Sequence, residues 1–277
     1  VSDFFEEVDS LGIVEDHVKA ALRLEEEQAR KLLRRYREVR MQLRDRLDRF
    51  EEGTFSAQQA RGVMVQVDAA ISAMSLSLKG GMSEAALETA LKGVEHEIEE
   101  LEKFEKHFRG AVVPINLNAQ IVAQESSNFL INRYESSIDA YSEDLRSNLM
   151  MQLSNEMLAE SSLSKVVKNL GLFFQGEEWK LHRIARTELH HVYNVGKLNS
   201  LKYVKETTLP DIKKALYHPM DSRTAADSKL AAQMNLIVPV DQPFRYRWKG
   251  DWREFMVPPD RPNDRSIMIP YRQVWDS

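Results

Sequence analysis

The sequence contains no cysteine. That excludes disulfides, thiolate metal centres and a cysteine nucleophile together, and it suits assembly in a reducing cytoplasm. No stretch reaches the roughly 18 consecutive apolar residues that a membrane-spanning helix needs. The first residues, Val1-Ser2-Asp3-Phe4-Phe5-Glu6-Glu7, lack the basic flank of a signal peptide. No initiator methionine is present, so the chain is read as able to begin within a longer product. A glycine-rich phosphate loop, a Gly-x-Ser-x-Gly elbow and a His-Glu-x-x-His metal helix are all missing. The expectation is a protein without catalytic residues, cofactor or metal.

What is present is ordinary globular material. Hydrophobic residues make up 43% and charged residues 29% of 277 positions, enough for a core and against wholesale disorder. The net charge of −5 argues against general nucleic-acid binding and leaves room only for local basic patches.

The first 160 residues read as long helices. Between Asp16 and Glu52 there is neither glycine nor proline, and Val18, Leu22, Ala29, Leu33, Tyr36, Val39, Leu43, Leu47 and Phe50 recur at helical spacing. Gly53 is expected to end this helix. Ser56 with Gln59 forms a capping box for the next, which carries Val63, Val67, Ile71, Met74 and Leu78 and is predicted to stop at Gly80-Gly81. Ser83 is expected to cap a third helix bearing Leu87, Leu91, Val94, Ile98, Leu101 and Phe108. Pro114 breaks the chain. A fourth helix, continuous or interrupted, covers 118–160 with Leu130, Tyr134, Ile138, Tyr141, Leu145, Leu149 and Leu153 on one side. Each stripe is one face wide, so each helix needs a partner. A bundle or extended antiparallel hairpins satisfy this, with partners drawn from this chain or from another.

Two charge runs have a plain reading. The cations from Arg30 to Arg49 could meet phosphates, but Glu26–Arg30 and Glu27–Lys31 are favourable i,i+4 pairs of a solvated face. The glutamates at 95, 97, 99, 100 and 102 are likewise read as a solvated face.

From residue 161 the character changes, and 161–277 is read as a separate α+β module. A short helix over 161–172 is followed by a glycine-containing turn, then a helix from Trp179 to about Lys205. Leu236 to Val240 is a short apolar run. Phe244, Tyr246 and Trp248 alternate with Arg245 and Arg247, the period of a half-buried strand. Lys249-Gly250-Asp251 turns the chain, and Trp252 to Val257 returns as the hairpin partner. Ser266 to Ile269 reads as a last short strand. The fold class is therefore mainly α with a small α+β C-terminal module.

Four pieces of this second half occur in a particular order: Ala185-Arg186-Thr187-Glu188 followed by Tyr193-Asn194, then Asp221-Ser222-Arg223-Thr224, then Pro239 and Pro243-Phe244, then Pro258-Pro259 and Pro262-Asn263-Asp264-Arg265-Ser266. In order and spacing they resemble the phage Mu F-like head morphogenesis family, over roughly Ser161 to Tyr271. The resemblance implies a minor head protein of a tailed phage, assembled in the host cytoplasm and residing in the virion head. It implies multiple copies, with the portal protein as partner, and contact with major capsid protein and packaged DNA. The alternatives are a helical scaffold absent from the mature virion, or a toxin-like enzyme of the sort fused to this module elsewhere. Where many relatives end on Pro-Asn-Cys-Arg-Cys, this chain has Asp264 and Ser266, so no metal role carries over.

The signature residues Trp179, Arg186, Thr187, Glu188, Asn194, Asp221, Arg223, Phe244, Pro262, Asn263 and Arg265 are accordingly read as structural. Arg186 is expected to pair with Asp221 or Asp227, and Glu188 with Arg223 or Arg265, fixing register more than stability. His190-His191 is read as surface or interfacial histidine. Arg245 and Arg247 share a strand face that either contacts DNA or a partner, or stays wet.

Overall fold

The computed structural model describes residues 2–49, 57–220, 224–259, 261–262 and 264–276. In chain order the elements are α1 (Ser2–Leu11), α2 (Ile13–Leu47), α3 (Ala57–Arg109), α4 (Ala119–Phe129), α5 (Ile131–Leu158), α6 (Leu163–Thr207), β1 (Lys213–Tyr217), α7 (Ala226–Gln233), β2 (Ile237–Pro239), β3 (Phe244–Trp248), β4 (Asp251–Phe255) and β5 (Ile267–Tyr271). The chain is mainly helical, with small antiparallel sheets near its C-terminal end. The Gly53 stop and the Ser56 cap lie outside the described residues.

Two breaks expected from glycine do not occur. α3 runs unbroken through Gly80-Gly81, and α6 runs unbroken through Gly171 and Gly176. Glycine costs a helix about 1 kcal/mol against alanine, and packing on either side offsets it. At Gly81 the missing side chain makes room for α2: a Cβ would fall 2.9 Å from both Arg35 Nε and Leu32 Cδ2. Ser83 is therefore no cap, and its hydroxyl lies 3.2 Å from the Tyr134 hydroxyl. On α6, Leu170 and Phe174 are buried beside the two glycines and hold the helix to its core. The fourth helix does break, at Leu130 between α4 and α5.

Compactness divides the chain into two units that interleave along the sequence. One comprises Val1–Glu27, Ala85–Leu130 and Arg186–Ser277, and the other Gln28–Glu84 and Ile131–Ala185. The second is a four-helix bundle. Its core holds the Leu33, Tyr36, Leu43 and Leu47 stripe with the Val63, Val67, Ile71, Met74 and Leu78 stripe. Tyr134, Ile138, Tyr141, Leu145, Leu149 and Leu153 of α5 complete it. Neighbouring helices are tied in a ring. Arg35 of α2 bonds Glu84 of α3 at 2.6 Å, and Lys79 of α3 bonds Asp139 of α5 at 2.7 Å. Lys180 of α6 reaches Asp144 of α5 at 3.3 Å, and Tyr36 of α2 donates to the Phe174 carbonyl of α6 at 2.8 Å. Arg37 and Arg40, within the basic run of α2, both clasp Glu178, while Arg30, Arg34, Arg44, Arg46 and Arg49 face solvent.

The first unit combines helices with a three-stranded antiparallel sheet of order β2-β1-β5, in which Ala215 pairs with both Ile237 and Ile269. β5 is buried along its whole length. An aromatic cluster fastens it: Phe4 of α1 meets Tyr271 edge-on at 5.0 Å, and Trp275 meets Phe104 of α3 at 5.6 Å. Beside the cluster, Arg272 bonds Glu105 at 2.5 Å and Asp211 at 3.0 Å, and the Trp275 indole donates to the same Glu105 at 3.1 Å. β3 and β4 form a separate hairpin, with Lys249 (φ 49°) and Gly250 (φ 95°) making the left-handed turn that such hairpins favour.

Candidate functional site

The polar residues of the first unit converge where α6 passes α3 on one side and β5 on the other. Close approach comes first. A Cβ on Gly93 of α3 would collide with the Tyr193 carbonyl oxygen of α6, and one on Gly196 would lie 2.5 Å from the Ala90 carbonyl oxygen. Reciprocal glycines let the two backbones touch, which leaves the adjoining α6 side chains deep in the interior.

Lys197 is such a side chain. It is fully buried, and its Nζ lies 2.7 Å from each carboxylate oxygen of Glu100 and 3.1 Å from Glu97. Glu97 and Glu100 are also fully buried. Burial raises the Glu97 carboxyl above the usual carboxylate range; the Lys197 ammonium pulls it down and Glu100 pushes it up, and the net direction is upward. His17 of α2 joins the cluster through Nδ1 to Glu100 at 2.8 Å and Nε2 to Glu99 at 3.2 Å. Its ring stacks on His96 at 3.8 Å, and His96 Nδ1 lies 2.7 Å from the Tyr193 hydroxyl. Burial, then the neighbouring charges of His17, Lys197 and Lys92, drives His96 down to about 2, so it is neutral at physiological pH.

The opposite side of α6 holds the C-terminal segment. Asn194 is fully buried; its Oδ1 accepts from the Met268 backbone N–H at 2.9 Å, and its Nδ2 donates to the His190 carbonyl at 3.0 Å. His190 is buried too, and donates from Nδ1 to Glu25 of α2 at 2.6 Å and from Nε2 to the Ser266 carbonyl at 2.7 Å. Burial alone lowers such an imidazole. The Glu25 carboxylate, the two hydrogen bonds and the charge of Asp264 outweigh it, and the net direction is upward. Ser266 Oγ donates to Asp264 at 2.5 Å and lies 2.5 Å from His218 Nδ1. Burial lowers His218 to about 4. Asp264 and Ser266 are thus part of a hydrogen-bonded loop anchored to a histidine. Among the described residues no group of three or more His, Asp or Glu is arranged to hold a metal ion.

The residues singled out from the sequence are distributed unevenly around this centre. Asn194 lies within it, and Glu188 is buried six residues earlier on α6. Arg186 lies 3.9 Å from Glu26 of α2, whereas Asp227 is engaged by Arg261 at 2.6 Å. Thr187, Arg186 and Arg265 line one cavity. Phe244 is fully buried, with the buried Lys214 ammonium 4.8 Å from its ring. Trp179 is exposed and carries the Arg183 guanidinium 4.8 Å over its ring, and Pro262 is exposed. Arg245 and Arg247 do share an exposed face; Arg245 is paired with Glu254 at 2.9 Å, and Arg247 donates to the Gly250 carbonyl at 3.0 Å. Asp221, Arg223 and Asn263 lie outside the described residues.

Two expectations are corrected. His190 is not a surface histidine but a buried double donor, because Glu25 and the Ser266 carbonyl supply an acceptor for each ring nitrogen. The acidic run of α3 is not uniformly solvated: Glu97 and Glu100 are in the core while Glu95 and Glu99 are outside. The helical phase carried that information, since 97 and 100 continue the buried positions 90, 94, 101 and 104 at spacings of three and four. Nothing local marked His17, Glu25 or His96.

No protein-family model, curated protein or solved structure matches the chain. No helix among the described residues is long and apolar enough to cross a membrane.

Proposed function

We propose that this chain is a structural minor head protein of a tailed phage, working at the portal vertex in head assembly, DNA packaging or DNA delivery. The observation that carries the reading is the ordered series of motifs from Ala185 to Ser266, with the spacing found in Mu F-like head proteins. The chemistry of those residues supports it. Asn194 bonds β5, Asp264 and Ser266 bond each other, and Phe244 is core. These are the roles of a rigid building module, in which polar groups hold the fold rather than turn over a substrate. The protein acts without cofactor and in multiple copies, with the portal protein as its main partner and capsid protein and packaged DNA as neighbours.

Quantitative mass spectrometry of purified mature particles, with localisation of the protein's density in the head, tests the reading. Density at the portal vertex in several copies per particle is expected. Complete absence from mature particles would overturn it in favour of a scaffold that leaves before maturation. Measurable NAD consumption by the purified chain would overturn the non-enzymatic part.

DNA contact, if made by the hairpin, runs through Arg245 and Arg247 on its exposed face. Binding should then fall steeply with salt and weaken when both are replaced by glutamine. Unchanged binding in the double variant removes the hairpin from the DNA-contact surface.

A further inference from the structure

The cluster around Lys197 is sealed from solvent, but a cavity of about 210 Å³ opens beside His190. Its wall includes Glu25 of α2, Arg186, Thr187 and His190 of α6, and Asp264 and Arg265 from the segment before β5. Three of these, Arg186, Thr187 and Arg265, belong to motifs almost eighty residues apart in the chain. Together they border one space.

Four of the charged or titratable groups that line that space have assigned contacts. Glu25 accepts from His190 Nδ1 at 2.6 Å. Asp264 Oδ1 accepts from both the backbone N–H and the hydroxyl of Ser266. His190 has both nitrogens engaged, the second on the Ser266 carbonyl. Both wall carboxylates therefore already serve donors of the fold. Arg186 is different. Its nearest carboxylate, Glu26, is 3.9 Å from Nε, and that Nε is buried without a hydrogen bond to any described residue. A buried guanidinium N–H with no acceptor is costly, and a guanidinium fork is shaped for oxyanions. The volume is below the ~300 Å³ at which drug-sized ligand pockets begin, which suits a single small group. Donor-bearing side chains line the space from two segments, α6 and residues 264–265, and a tetrahedral anion offers several oxygens to such donors.

We infer that this cavity is a binding site for a phosphate group, with Arg186 as its principal ligand and Thr187 and Arg265 as wall residues. The phosphate comes either from solution or from a nucleic-acid backbone. The inference does not rest on the virion reading, and its failure would leave that reading as it stands.

The test uses the full chain at constant ionic strength. Inorganic phosphate is titrated against it by calorimetry and ³¹P NMR, with acetate as the planar control. Saturable phosphate binding is expected, with acetate weaker. Loss of a charged hydrogen-bond donor in Arg186→Gln should weaken phosphate by about tenfold or more, since such bonds are worth ~1.5–3 kcal/mol, with the circular dichroism spectrum and the melting temperature in chloride unchanged. Should Arg186→Gln fail to fold, Arg186→Lys keeps the charge without the fork and is expected to weaken binding as well. A short oligothymidylate supplies the second arm. Binding that inorganic phosphate displaces and Arg186→Gln abolishes assigns the phosphate to a nucleic-acid backbone; oligothymidylate that does not compete assigns it to solution. No saturable phosphate binding, acetate binding as tightly as phosphate, or affinity unchanged in folded Arg186 variants would overturn the inference.

Discussion

The side-chain carbonyl of Asn194, in the middle of α6, accepts the backbone N–H of Met268 in β5 at 2.9 Å. One asparagine thereby does the work of a neighbouring strand, satisfying a buried sheet N–H from a helix. Replacing Asn194 by leucine removes the acceptor and leaves that N–H unpaired, at a cost of about 1–3 kcal/mol. Urea unfolding should show a lower midpoint with an unchanged slope. A variant as stable as the parent would mean that the Met268 N–H finds another acceptor and that the bond is not a clamp.

How much of this was legible in the sequence depends on the distance between partners. The β3–β4 hairpin was, because alternation of Phe244, Arg245, Tyr246 and Arg247 and the Lys249-Gly250 turn are local. The apolar stripes of α2, α3 and α5 were legible for the same reason. β1 was not: Lys213-Lys214-Ala215-Leu216-Tyr217 has no clean alternation, and it is a strand because β2 and β5 flank it. α7 went unread as well, being only two turns long. Gly80-Gly81 looked like a stop because a glycine pair weakens a helix locally, while the contact with Leu32 and Arg35 that justifies the pair lies more than forty residues away. The Glu25–His190 bond joins residues 165 apart. Only its consequence, a histidine in a buried phase of α6, was in principle readable.

The pH dependence of His190 follows from that bond. Its folded-state value is raised above the ordinary imidazole value, so the folded protein binds the proton more tightly than the unfolded chain. The stabilisation is fully present below about pH 6.5 and is lost as pH rises through the raised folded value. Unfolding free energies of the parent and of His190→Gln, measured in urea from acid to alkaline pH, should converge as the pH rises through that window. A gap that widens on the alkaline side would show that His190 is held neutral.

His96 predicts the opposite slope. Its folded value is depressed to about 2 by burial and by the charges around it, so the unfolded chain takes up a proton that the folded one refuses. Its contribution is intact above about pH 6.5 and declines as pH falls toward the depressed value. His96→Phe, which keeps a ring to stack on His17, should flatten the acid limb of the stability profile relative to the parent. An identical acid limb would assign that limb to other groups, His218 being the first to test.

Among the described residues, Lys197 is the lysine that pairs with both Glu97 and Glu100, and the His17 ring lies 2.8 Å from Glu100. Lys197→Met removes one member of a buried ion-pair cluster and should cost about 3–5 kcal/mol, more than a neutral truncation of that size, because charge is left uncompensated. Adding Glu100→Gln should recover part of the loss, a coupling that a double-mutant cycle measures directly. If the second substitution adds a further full penalty instead, Lys197 stabilises the fold through packing alone.

The glycines of α3 and α6 separate two effects that the same substitution can have. Gly171 and Gly176 lie within a helix with no atom near the position of a Cβ. Alanine there improves helix propensity without touching anything, and each should stabilise the protein by about 0.5–1 kcal/mol. Gly93 and Gly196 are helical too and gain the same propensity, but their Cβ atoms would fall on the carbonyls of Tyr193 and Ala90. Backbone cannot step aside as a flexible side chain can, so the helices must separate, and overpacking of this kind costs about 1–3 kcal/mol. The crossing also carries Lys197 and Asn194 into place, so Gly196→Ala should disturb both sides of α6 together. In an alanine series measured by thermal unfolding, melting temperatures should rise at 171 and 176 and fall at 93 and 196. A rise at all four positions would show that α3 and α6 do not meet backbone to backbone, and with that the buried placement of Lys197 would lose its cause.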